Sequence, residues 1–162
     1  MANQTQSNSD DLFNLLDKDL DDIADLPSFK VPDTGVYKLT LGMELKPINE
    51  KPAVVAKFTV REVVELADSS IEESARAKAG DKFDVPHILK DKDGKDSEIA
   101  WGKLKELCSP LAEWAGNTNL KAIIKKLTEE TVDITCKVKR VQRKGTEADP
   151  VFDARIDNVT VD

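Results

Sequence analysis

From residue 35 onward the chain alternates apolar and polar positions with a period of two. Tyr37, Leu39, Leu41, Met43 and Leu45 fall on one side of an extended segment, and Lys38, Thr40, Gly42, Glu44 and Lys46 on the other. That is the pattern of a half-buried strand. Gly42, at its midpoint, predicts a bulge or sharp bend. The stretch 47–52, bounded by Pro47 and Pro52, turns the chain into a second strand. Val54, Ala56, Phe58, Val60, Val64 and Leu66 are expected inward there, with Lys57, Thr59 and Arg61 outward. Residues 68–79 are small and charged and read as a loop or short surface helix. A third strand follows Gly80, with Phe83, Val85 and Leu89 in phase. The acidic turn 91–96 comes next, and Asp96 or Ser97 can cap a helix after it. The period then becomes helical. Trp101, Leu104, Leu107, Cys108, Leu111 and Trp114 form one stripe, interrupted by Pro110, which predicts a kink or a restart with the proline in a first turn. Leu120, Ile123, Ile124 and Leu127 give a second short helix. Alternation returns at Val132, Ile134, Cys136 and Val138. After a polar turn around Gly145 it continues at Phe152, Ala154 and Ile156, with a bulge expected near Asp157 because Val159 and Val161 fall out of phase.

Three strands, helices, then two strands make a mainly β domain over residues 27–162. A five-stranded Greek-key barrel of the OB type has this order, with its helices between strands 3 and 4. Residues 1–26 are a separate acidic tail. The first ten are polar, have no apolar period and read as disordered. Beyond them Leu12, Phe13, Leu16, Leu20 and Ile23 recur at helical spacing with acids on the other face. So short and charged a helix is marginal alone, so it is expected to order only against a surface, and those five residues are candidate partner contacts. Pro27 and Pro32 bracket an extended linker into the domain.

Charge sharpens this division. Of a formal net charge of −7, residues 1–35 contribute −6 (eight Asp, two Lys) and residues 36–162 only −1 (23 acids, 22 bases). A low overall pI is therefore compatible with a nucleic-acid partner, because binding depends on the local field. No apolar run approaches the roughly 18 residues of a membrane span, and the N-terminus has no basic or apolar leader, so a cytoplasmic protein is expected. Cys108 and Cys136 read as buried thiols. His87, the single histidine, falls among apolar in-phase neighbours and reads as a partly buried strand position. One histidine and two cysteines 28 positions apart exclude the usual zinc spacings, and neither phosphate-binding glycine motif is present. Asp91, Asp93, Asp96 and Glu98 resemble a calcium loop, but the glycine stands at the fourth position rather than the sixth, so a plain turn is the better reading. No enzyme, cofactor or metal site is expected.

The basic residues carry the functional reading. Lys137, Lys139, Arg140, Arg143 and Lys144 crowd the end of the fourth strand and the turn after it. In an OB barrel that turn and the strand 1–2 loop, which here carries Lys46 and Lys51, flank the oligonucleotide groove. Lys38, Lys57 and Arg61 on the outward faces of the first two strands would extend a positive track, although an exposed strand face often carries lysine merely to discourage edge pairing. Single strands are usually held by bases stacked on rings. Phe29 and Phe83 are the candidate stackers here, and each could equally be packing.

The run Leu26-Pro27-Ser28-Phe29-Lys30-Val31-Pro32 leading into Gly35-Val36-Tyr37-Lys38-Leu39, the Phe58-Thr59-Val60 strand and the basic hairpin resemble, in layout, the OB-fold single-stranded-DNA-binding proteins of tailed phages. The resemblance implies a largely sequence-independent binder of single-stranded DNA in phage replication or recombination, with replication or recombination proteins as partners of the acidic tail and a possible homo-oligomer. In that family the acidic tail is C-terminal; here it is N-terminal. The competing expectation is a protein-interaction or virion-associated structural domain that docks through the acidic helix.

Overall fold

The computed structural model describes residues 10–22 and 30–162. Residues 10–15 form a short helix, α1, followed by a turn and a 3-10 turn at Leu20–Asp22. Five antiparallel strands, β1 (Gly35–Leu45), β2 (Ala53–Leu66), β3 (Lys82–Ile88), β4 (Val132–Gln142) and β5 (Phe152–Val161), make one sheet in the order β3-β2-β1-β4-β5. Between β3 and β4 lie α2 (Glu98–Cys108), α3 (Ala112–Ala115) and α4 (Leu120–Glu129). The sheet curls into a half-barrel. Its two edge strands, β3 and β5, both pack against α2, which lies across the opening between them. The closed barrel expected from the strand count is not formed among the described residues: β3 and β5 share no ladder, and a cleft of about 600 Å³ separates them.

The core follows the alternation. Tyr37, Leu39, Leu41 and Met43 of β1 are buried with Phe58 and Val60 of β2 and with Val132, Ile134, Cys136 and Val138 of β4. The helices cover them with Leu104, Leu107, Leu111, Ile123, Ile124 and Leu127. Large side chains of this kind each contribute about 1.5–3 kcal/mol when fully buried. Local signals set the helix ends as expected. The Ser97 hydroxyl accepts from the Ala100 amide at 3.3 Å. Pro110 opens a restarted turn, Ser109–Leu111. Asn119 caps α4 by accepting from the Ala122 amide at 3.2 Å, and Gly116 takes the left-handed conformation that ends α3.

Three expectations fail in β1 and β2. Gly42 makes no bulge; it pairs in regular register with Lys57. A Cβ there would lie 3.3 Å from the Thr131 methyl and 3.7 Å from the Leu127 carbonyl oxygen, so the glycine serves the approach of the chain leaving α4. The register breaks fall instead opposite Val36–Tyr37 and Lys38–Leu39, where Val64 and Arg61 of β2 are each left without a partner in β1. Each extra residue shifts the phase of the strand. Val63 therefore turns inward against the core, and Val64, expected inward, is exposed. Leu45, also expected inward, is exposed too. The irregularity expected near Asp157 is present: the β4–β5 register shifts there, with Asn158 left-handed at φ 54°.

In the acidic tail, Leu12, Phe13, Leu16 and Leu20 are all exposed. Ile23 and residues 1–9 lie outside the described residues; of the first ten, expected to be disordered, Asp10 is described and opens α1.

Candidate nucleic-acid interface

The outward face of β1, β2 and β4 is not a positive track. Register places acids against its cations. Lys38 sits directly opposite Glu62, with 3.4 Å between charges. Lys57 reaches diagonally to Glu44 at 2.8 Å, and this hydrogen-bonded lysine, acting also through its charge, lowers the pKa of the Glu44 carboxyl. Arg61, the extra residue of one register break, bonds Asp162, lies 3.5 Å from Asp133 and donates to the Ile134 carbonyl at 3.3 Å. The Thr135 hydroxyl also donates to Asp162 at 2.6 Å, and that bond is the main cause lowering the Asp162 pKa. These pairs knit three strands and leave little net field. Lys38, Lys57 and Arg61, expected on a DNA track, are cross-strand ties.

The β4–β5 hairpin is different. Arg143 is held two-pronged by Asp153, at 2.7 and 3.2 Å, and Arg140 pairs with Asp33 at 3.1 Å. Lys137, Lys139 and Lys144 are exposed and form no ion pair among the described residues. Lys139 stands directly opposite Arg155 of β5. Like charges in that relation destabilise a sheet, and no acid bridges this pair among the described residues. Both line the cleft between β3 and β5 with Lys103 of α2, and Asp84, Glu106, Asp153 and Asp157 line it too. Arg140 sits over Phe152, its guanidinium carbon 3.8 Å from the ring centre. A planar cation on a ring is a surface on which a base can stack.

The aromatic expectations are revised accordingly. Phe83 is only 3% exposed and stacks on Phe58, ring centres 5.0 Å apart and planes 13° from parallel; it is core and unavailable to a base. Phe29 lies outside the described residues. Phe152, expected in the core, is half-buried at the start of β5. It, Arg155 and Lys103 of α2 line the same cleft as Lys139. The sequence shows Arg155 as one outward residue of a strand; only the register with Lys139 reveals its surroundings. Lys46 and Lys51 flank the tight β1–β2 turn, where Asn49 and Glu50 take positive φ. Since β1 and β4 are antiparallel, that turn and the β4–β5 hairpin lie at opposite ends of β1.

Other candidate chemistry resolves into structure. The Asp91 carboxylate accepts from the amides of Asp93 and Lys95, at 2.8 and 3.0 Å, so the calcium-loop look-alike is a side-chain-tied turn. No group of three potential metal-ligating side chains occurs among the described residues. Cys108 and Cys136 are free and buried, and burial pushes their thiols up to about 11 and 12. No helix among the described residues is long and apolar enough to cross a membrane.

His87 is 5% exposed, and its Nε2 has no hydrogen-bond partner. Burial first, and the Lys103 charge second, depress its pKa to about 4. The unfolded chain takes up this proton near pH 6.5 and the folded one only near pH 4. The contribution is therefore complete above pH 6.5 and is lost as pH falls from 6.5 to 4, by about 3 kcal/mol in all. His87→Leu should remove this component. In urea titrations at pH 7 and pH 5, the native chain should lose more stability than the variant; equal losses would show that His87 does not carry it.

Comparison of the chain with protein-family models, with curated proteins and with solved structures finds no match in any of the three.

Proposed function

We propose that this chain binds single-stranded DNA, largely without regard to sequence, through the β4–β5 hairpin and the adjoining β3–β5 cleft. The observation that carries the reading is the unbridged pair Lys139 and Arg155, directly opposed across the hairpin beside Lys103. Lys38, Lys57 and Arg61 on the outer face of the sheet are tied to acids, whereas these directly opposed like charges cost stability that a phosphate backbone would relieve. The Arg140–Phe152 stack adds a flat surface for an unpaired base. The strand order, with helices between β3 and β4, is also that of an OB barrel opened along β3 and β5, which supports the likeness to phage single-strand binders and a role in phage replication or recombination.

The test is a fluorescence-anisotropy titration with labelled single-stranded and duplex oligonucleotides over a range of salt. Single strands should bind in preference, and log K should fall linearly with log salt at about 0.7 per phosphate neutralised. Absence of binding at low salt would end the reading.

A further inference from the structure

On the outside of the helical layer, α2 and α4 leave an apolar groove of about 600 Å³ lined by Trp101, Cys108, Ala112, Leu120 and Ile123, with Gly102 in its wall. Gly102 sits inside α2, where glycine is unfavourable relative to alanine. A Cβ built on it meets nothing within 4 Å, so no packing within the described structure requires the glycine. The Trp101 ring stands over the groove margin, 39% exposed, with its indole N–H donating to the Leu89 carbonyl at 3.2 Å. Lys105 is the one charged residue of this lining, and no acid is present in it.

The same chain carries an exposed surface of the opposite character. Over residues 10–22, six Asp and one Lys surround Leu12, Phe13, Leu16 and Leu20, which are 57%, 72%, 65% and 85% exposed. Contiguous apolar side chains left in water mark an interaction surface, and a segment that extends its helix on docking in an apolar groove is a standard way to cover one; residues 10–15 are already helical here. In the structure this stripe does not occupy the groove of its own chain.

We infer that the N-terminal segment of one copy docks its Leu12–Leu20 stripe in the α2–α4 groove of a second copy, the aspartates facing Lys105 and the other exposed helix lysines. Because stripe and groove are different surfaces, the contact is head-to-tail: it closes into reciprocal pairs or rings where the geometry allows and runs on as open chains where it does not. It is independent of DNA and stands apart from the reading above.

The experiment is sedimentation velocity of the full chain without DNA, up to about 0.5 mM, a range suited to so small a contact. The weight-average mass should climb with concentration from 17.9 kDa to at least twice that. Leu16→Asp, which spoils the stripe, and Gly102→Phe, which fills the groove, should each stay single. Both sites are exposed, and thermal melts verify that the variants fold. Mixed in equal amounts, the two variants should form one 1:1 complex, because each retains the surface the other lacks. A native chain that stays single throughout would overturn the inference, as would a mixture that fails to pair. Association of either variant alone to the native extent would place the contact elsewhere. A single chain whose tryptophan emission changes in Leu16→Asp would mean docking within one molecule, and would overturn it too.

Discussion

An Ile134→Asp chain should fail to fold. Ile134 is fully buried in β4, paired with Leu39 of β1 and Val161 of β5. A carboxylate at that position would lie among apolar side chains. The nearby cation, Arg61, approaches the Ile134 carbonyl but is already committed to Asp162 and Asp133. Burial of an unpaired charge costs several kcal/mol, and removal of the aliphatic side chain adds about 2–5 kcal/mol. Together these rival the 5–15 kcal/mol by which whole domains are stable. Lys137→Ala, three positions on and exposed, should melt within a few degrees of the native chain. The check is thermal circular dichroism, and similar melting temperatures for Ile134→Asp and Lys137→Ala would show the alternation of β4 to be wrong.

The second large effect is on DNA affinity. Replacing Lys139 and Arg155 together by alanine should weaken single-strand binding about ten- to a hundredfold at low salt. It should also reduce the salt slope by about 1.4, or 0.7 for each phosphate no longer neutralised. The control is Lys38→Ala with Lys57→Ala. Those lysines are exposed and equally basic but tied to Glu62 and Glu44, so their removal should change affinity less than about threefold. Sequence proximity to the hairpin cannot explain such a contrast, since Arg155 is as distant from Lys139 in the chain as many unrelated cations. If the control variant weakens as much as the hairpin variant, the outer sheet face is the binding surface, and the proposed site is wrong.

How far the sequence reaches can be read residue by residue. The alternation of β4 was legible because its buried positions are all apolar and the intervening ones mostly polar, which fixes register wherever one face is buried. The break in β2 was not legible, because Val63 and Val64 are both valine and either could face the core. The choice between them is made by pairing with β1 and by Arg61 reaching acids some 70 and 100 positions away. The same limit governs the interface. Positive charge around Lys137–Lys144 is visible in the chain, but whether a lysine is free depends on what stands opposite it. Lys57 reads like Lys139 until register sets Glu44 beside one and Arg155 beside the other. Phe83 was placed on the correct side of its strand, and that same placement seals it against Phe58.

The ladder between β1 and β4 has a consequence for how the molecule assembles. The β1–β2 and β4–β5 connections each close over a few residues, and β3 joins β2 by a single loop, so a three-stranded meander and a separate hairpin can form from local contacts. The two meet only along β1 and β4, where Tyr37 faces Cys136, 99 positions further along the chain. Closing so long a loop costs entropy before any contact rewards it. Completion of the sheet is thus the step with the largest loop-closure cost, and a chain that had not yet made it would expose the pairing edge of β1 and the inner face of the meander at once. Unpaired edges and apolar faces of that kind are what chains aggregate through, so the β1–β4 ladder is also what removes this chain's largest aggregation hazard.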